Sequence, residues 1–150
     1  MNTPYRNTQD QRGFSLVEIL VVLVIMGLLI SVVAPTVLNQ ADDARVKKAY
    51  ADFKSIETAL KIYRLDNYVY PSTEQSLLAL VKPSTLDPEP RNFKNEGYLE
   101  EIPIDPWGNE YLYLSPGEHG TIDIYSLGAD GVSGGEGQSA DIGNWKSTDE

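Results

Sequence analysis

Between Phe14 and Leu38 the chain carries a single charged residue, Glu18, and from Ile19 to Ile30 the run is wholly apolar. A helix rises about 1.5 Å per residue, so about 20 residues cross a bilayer core of about 30 Å, and this stretch predicts a membrane-spanning helix. Residues 1–13 are polar, with Arg6 and Arg12 against Asp10, and no further Lys or Arg occurs before Arg45. That asymmetry predicts a cytoplasmic N-terminus, with the bulk of the chain beyond the inner membrane. The apolar run exceeds the usual h-region of about 7–15 residues of a secretory signal, and no A-x-A-like cleavage site follows it. On hydropathy alone, an uncleaved signal anchor on a soluble domain stays open.

Glu18 adds a constraint. An acid inside a spanning helix costs a few kcal/mol and is usually paired. The run Arg12-Gly13-Phe14-Ser15-Leu16-Val17-Glu18 places the carboxylate one helical turn beyond Phe14. A cut between Gly13 and Phe14 would create an α-amine about one turn from Glu18, within its own chain or facing a neighbouring copy. The other reading keeps Glu18 at headgroup level, where the N-terminal helix dipole favours an acid. Both remain open from the residues.

The 150 residues suit one domain of ordinary size. A formal net charge of -10, with no basic stripe legible along the sequence, argues against a nucleic-acid partner. With no cysteine, neither disulfides nor thiol chemistry are available. His119, the one histidine, falls in an expected turn and is read as a solvated residue, and no pair of acids is placed across a cleft. No catalysis is expected.

Beyond the apolar run a helical pattern continues: Val46, Ala49, Phe53, Ile56, Leu60 and Tyr63 recur every three or four residues, on one face. Asp43 with Lys47 and Glu57 with Lys61 are expected i,i+4 pairs. Pro35 removes a backbone hydrogen bond and is expected to kink or loosen the helix. Ser72-x-x-Gln75 reads as a capping box opening a short second helix that ends before Pro83. The proline-rich stretch from Pro83 to Asn109 predicts an irregular loop with Trp107 as a packing anchor. Tyr111–Ser115 and Thr121–Ser126 alternate as two strands joined through Pro116–Gly120, a hairpin. The expected fold class is α+β, a long helix against a small antiparallel sheet.

Leu127 to Gly143 combines Gly128, Gly131, Gly134, Gly135, Gly137 and Gly143 with Asp130, Glu136 and Asp141. A loop this long with little to bury needs something to order it. Calcium suits carboxylate and carbonyl oxygens carried on glycine-rich backbone, although the spacing is not that of an EF-hand. A flexible acidic loop is the alternative.

The segment Arg12 to Glu18, followed by its apolar stretch, resembles the class III signal of type IV pilins and pseudopilins. Asp66–Thr73, Pro103–Asn109, Ser126–Gly131 and Asp141–Trp145 extend the resemblance to the major pseudopilins of type II secretion, from Gly13 to Trp145. The resemblance implies a type IV pilin-like fold with a calcium-binding loop. It divides the chain into a leader at 1–13, a transmembrane and filament-core helix at 14–38, and a periplasmic head at 39–150. It implies that a prepilin peptidase cuts after Gly13 and methylates Phe14, and that Glu18 and Pro35 serve assembly. It further implies one calcium ion, with Asp130 and Asp141 as side-chain ligands, carbonyls from Leu127 and Val132, and Ser139 as a further candidate. Ala140 stands where some relatives carry an additional acid. The implied partners are further copies in a homopolymer, minor pseudopilins, an inner-membrane platform with its secretion ATPase, and indirectly an outer-membrane secretin. The implied role is the major structural subunit of a fibre that pushes folded exoproteins outward. A minor pseudopilin, a pilin of a related fibre and a membrane-tethered calcium-binding domain are the alternatives.

Overall fold

The computed structural model describes residues 14–145, without the side chains of residues 32–39. One α-helix, α1, spans Leu16–Asn67, and the chain divides between Gln40 and Ala41 into two units.

In the first unit, α1 opens as the Ile19 N–H donates to the Ser15 carbonyl at 3.2 Å. Its side chains through Ser31 are all exposed, Leu16 at 81% and Leu23 at 64% among them. A helix that is apolar on every side has no stable place in water and requires lipid or protein around it. Among the described residues, no helix is long and apolar enough to cross a membrane. The side chains of the later part of the expected span, Pro35 included, lie outside the described residues, as does the expected leader with Gly13.

In the second unit the amphipathic reading holds. Ala49, Phe53, Ile56, Leu60 and Tyr63 are buried, joined by Ala59, while Val46 is half-buried at the edge. Glu57 and Lys61 pair at 3.6 Å. Asp43 and Lys47 make no ion pair among the described residues; Asp42 pairs with Arg45 at 2.9 Å and Lys48 with Asp52 at 2.6 Å instead. The helix stops because Tyr68 enters the left-handed region (φ 69°), donating its N–H to the Arg64 carbonyl at 2.7 Å. Glycine usually occupies such a position. Here the buried Asn67 holds the stop in place: its amide donates to the Tyr63 carbonyl and the Tyr98 hydroxyl, both at 3.0 Å, and its oxygen accepts from the Asn92 N–H at 2.8 Å.

The capping box forms as expected, with Ser72 N–H to Gln75 Oε1 at 2.8 Å and Gln75 N–H to Ser72 Oγ at 3.3 Å. It opens a turn leading into a short 3-10 helix, Leu77–Leu80, rather than an α-helix. Pro83–Asn109 is irregular apart from one bridge between Ile104 and Glu110, and Trp107 packs against the core. Strands β1 (Leu112–Leu114) and β2 (Asp123–Ser126) are the antiparallel hairpin, each shorter than expected. A third strand, β3 (Ile142–Gly143), pairs antiparallel with the other edge of β2, giving the order β1-β2-β3. Two residues of ladder carry no alternation, so the sequence reading missed it.

The sheet is fixed to the helix by more than apolar contact. Phe53 and Tyr111 meet edge-on at 5.3 Å, and the Tyr111 hydroxyl donates to Asp52 at 2.7 Å. Burial, reinforced by that carboxylate, pushes the Tyr111 pKa upward, so the phenol stays a donor. Burial likewise pushes Tyr113 up to about 12, where its hydroxyl donates to the Pro71 carbonyl at 2.9 Å.

Candidate functional site

The stem comes first. Phe14 is 78% exposed, and Glu18 lies in the first turn of α1, next to the unpaired N–H groups of the helix start. One acid and one aromatic residue thus stand at the start of an apolar helix whose described side chains through Ser31 are exposed.

The glycine-rich loop, the second candidate, folds back on itself. It contains two 3-10 turns, Gly128–Asp130 and Gly137–Ser139, which pack on each other. Gly128 is buried with φ 69°, and a Cβ there would come within 2.6 Å of the Gln138 carbonyl oxygen. At Gly135 a Cβ would collide with the Ser139 carbonyl oxygen. These two positions require glycine because carbonyl groups from 138–140 turn onto them. Asp130 Oδ1 accepts from the Val132 N–H at 3.1 Å, and Asp141 Oδ2 accepts from the Gly134 N–H at 2.9 Å and Ser133 Oγ at 3.3 Å. Asp141 also donates its N–H to the Gly134 carbonyl at 3.2 Å, closing the loop.

Of the expected metal ligands, Val132 is 63% exposed, while Leu127, Ser139 and Asp141 are half-buried. Among the described residues, no group of three or more His, Cys, Asp or Glu side chains gathers to hold a metal. Asp130, Asp141, Ser139 and the loop carbonyls offer oxygen only, the donor chemistry of calcium, with two carboxylates rather than three.

A polar chain that the sequence reading missed secures the start of this loop. Asp105, 4% exposed, accepts from the N–H groups of Trp107 (3.0 Å) and Asn109 (2.8 Å) through Oδ1. Its Oδ2 accepts from the Ser126 hydroxyl at 2.5 Å, and Ser126 Oγ accepts from the Gly128 N–H at 3.1 Å. The Asp-Pro-Trp-Gly-Asn segment is therefore a turn whose carboxylate fixes the first glycine of the loop. An aspartate followed by a proline and a glycine marks a turn in sequence; its reach to Ser126 does not show there.

The far end is tied as firmly. Asn144 accepts from the Ile124 N–H at 3.1 Å and donates from its amide to Glu57 at 3.0 Å, so one side chain joins β2, helix and C-terminal segment. His119 is exposed in its turn, as expected, and also has partners. Its ring stacks on Trp145, with centroids 3.9 Å apart and planes within 8°, and Nδ1 lies 3.0 Å from Asp123 Oδ2. A carboxylate only accepts, so this contact places a proton on Nδ1.

Asp123 is 1% exposed and accepts the N–H groups of Glu118 (2.8 Å), His119 (2.9 Å) and Gly120 (3.1 Å). Burial alone would raise its pKa; the bonds from His119 and Glu118 outweigh burial and hold it below the ordinary carboxylate range. A carboxyl with a depressed folded pKa adds stability above its unfolded value, near pH 4, and loses it as pH falls through the folded value. Asp123→Ala, which leaves three turn donors without their acceptor, is expected to cost about 3 kcal/mol. Its stability should also decline less steeply on acidification, as urea titrations between pH 2.5 and 7 would record; an unchanged acid limb refutes the assignment.

Residues 36–145 match the family model described as Type II secretion system (T2SS), protein G, and residues 8–34 match the prokaryotic N-terminal methylation motif. Type II secretion system core protein G of Pseudomonas aeruginosa is 53% identical over 137 residues, covering 91% of this chain and 96% of that protein. The Vibrio cholerae protein of the same name is 52% identical over 144 residues, covering 96% and 98%. Among solved structures, the major pseudopilin from the type 2 secretion system of enterohaemorrhagic Escherichia coli superposes with a TM-score of 0.66 at 47% identity, covering 72% of this chain and 92% of that one. The leader-proximal motif, the helix-on-sheet head and this extent of identity make the chain a member of the type II secretion protein G family, the major pseudopilins.

Proposed function

We propose that this major pseudopilin is made as an inner-membrane precursor, cut after Gly13, methylated on Phe14 and polymerised into a periplasmic fibre that pushes folded exoproteins toward an outer-membrane secretin. The observation that carries this reading is the bare apolar rod: every described side chain from Phe14 to Ser31 is exposed in the single chain. In the membrane, lipid covers that surface. In a fibre, stems of neighbouring copies cover it, through the packing and interhelical polar contacts that drive helix association in bilayers. Glu18 then meets the Phe14 amine of a neighbour, which neutralises both charges and sets the axial register. Minor pseudopilins, an inner-membrane platform, a cytoplasmic ATPase and a prepilin peptidase are the partners such a cycle requires. The chain has no catalytic part in it.

Calcium belongs to the same reading. Asp130, Asp141 and Ser139 with the Leu127 and Val132 carbonyls would hold the ion, and its role would be to order the loop rather than to react. The all-oxygen donor set and the carbonyls crowded onto Gly128 and Gly135 support it.

Intact mass of the mature protein from its host tests the pathway. The expected product has lost residues 1–13 and gained one methyl group. A full-length, unmethylated chain would instead favour a tethered periplasmic domain.

A further inference from the structure

The part of α1 in the second unit sorts its charges by direction. Asp42, Asp52, Glu57 and Asp66 are all partly buried, and each contacts the head: Gln138, the Tyr111 hydroxyl at 2.7 Å, the Asn144 amide at 3.0 Å and Lys94 at 3.5 Å respectively. Only Asp43 of its acids is exposed. The bases do the opposite. Arg45, Lys47, Lys48, Lys54, Lys61 and Arg64, half of the 12 Lys and Arg in the chain, are all exposed. In a protein of net charge -10, three of these bases, Lys47, Lys54 and Lys61, fall on one face of the helix.

That face has a regular pattern. Lys47, Ala51, Lys54, Thr58, Lys61 and Leu65 follow the i, i+4, i+7 rule and are all exposed. Residues seven apart return to nearly the same side of a helix, drifting by about 20°. The three lysines therefore form one line, about 10 Å apart, with short side chains between the first two intervals. Lys54 and Lys61 have side chains 78% and 64% exposed, and their nearest acid, Glu57, stands at 3.9 Å and 3.6 Å. Lys47 makes no ion pair among the described residues. The segment 87–101 of the head is acidic on balance: Asp87, Glu89, Glu96, Glu100 and Glu101 are exposed against the exposed bases Arg91 and Lys94, and none of these five acids makes an ion pair among the described residues.

We propose that the lysine line at 47, 54 and 61 is a docking seam for the acidic 87–101 segment of a second copy of this chain. The inference rests on the filament reading and names a head-to-helix contact within it. Opposed potentials of this kind steer encounter and fix register, and like charges brought together there are costly. The short residues beside Lys47 and Lys54 let the partner backbone approach.

The test uses the full chain assembled in cells, with fibre yield as the readout and the thermal transition of the purified protein as the folding control. Lys47→Glu with Lys54→Glu and Lys61→Glu is expected to lower fibre yield at least about tenfold. Lys→Gln at the same positions, which leaves Glu57 without a new like charge beside it, is expected to fall between this variant and wild type. Glu96→Lys with Glu100→Lys and Glu101→Lys should lower the yield as well, and joining the two reversals should restore it. Wild-type yield from the lysine reversal overturns the seam. Loss without restoration by the double reversal also overturns it, since the lysines would then serve another partner, such as an anionic lipid surface. If the wild-type chain itself forms no fibre, the filament reading has failed instead.

Discussion

Replacing Glu18 by alanine is expected to leave membrane insertion and the folding of the head intact while abolishing most fibre growth. Glu18 lies in the first turn of α1 on a stem whose described side chains are all exposed. Removing an acid from an apolar helix makes insertion easier, by a few kcal/mol on insertion scales. Polymerisation should move the other way, because the Phe14 amine of each added copy would enter the bundle without a counter-charge. Leaving one member of a buried ion pair alone costs about 3–5 kcal/mol, enough to suppress addition by two orders of magnitude or more. Membrane fractionation and fibre imaging of the same cells separate the two effects. Glu18→Gln should behave nearly as badly as Glu18→Ala, since it keeps size and loses charge. Wild-type fibres from either variant would return Glu18 to a simple interaction with the helix dipole, worth about 1 kcal/mol or less.

Chelation of calcium is expected to lower the melting temperature of the head by about 10 °C or more. Residues 129–138 are all exposed, so this loop gains little from apolar burial, while ordering each backbone residue costs about 1–2 kcal/mol. A ligand that binds only the folded chain at 100 times its Kd contributes about 2.7 kcal/mol, and in a domain of about 100 residues each kcal/mol moves the transition by about 4–8 °C. Asp141→Ala should lose the same stability and no longer respond to EDTA. It also removes the hydrogen bonds to Gly134 and Ser133, so the decisive observation is the lost response. A wild-type transition indifferent to EDTA and to added calcium removes the ion from the protein's chemistry.

Which parts of this architecture were legible in sequence follows from the range of the interactions. The buried face of α1 was readable because helical periodicity depends only on local geometry, and Ala49, Phe53, Ile56, Leu60 and Tyr63 are buried as the spacing requires. The capping box was readable for the same reason: its two hydrogen bonds close within three residues. Long-range polar contacts were not. Asp105 reaches Ser126, Asn67 reaches Asn92 and Tyr98, and Asn144 reaches Glu57, across separations that leave no periodic trace. The stacking of the exposed His119 on Trp145 leaves no local trace, because the two are distant in sequence. The helix stop at Tyr68 was also hidden, since local preference favours glycine at positive φ and the contacts of Asn67 override it. For the stem, the motif around Phe14 and Glu18 marks the candidate residues, and the pairing proposed for them would belong to the assembled state.

The strand order carries a consequence for biogenesis. β2 lies at the centre, and its second neighbour, Ile142–Gly143, is translated after it. Until then a nascent chain exposes the free backbone edge of β2. Unpaired edges template association with other strands. Chains ended early by a premature stop before Ile142 would keep that edge permanently, making truncated products candidates for clumping and proteolytic clearance.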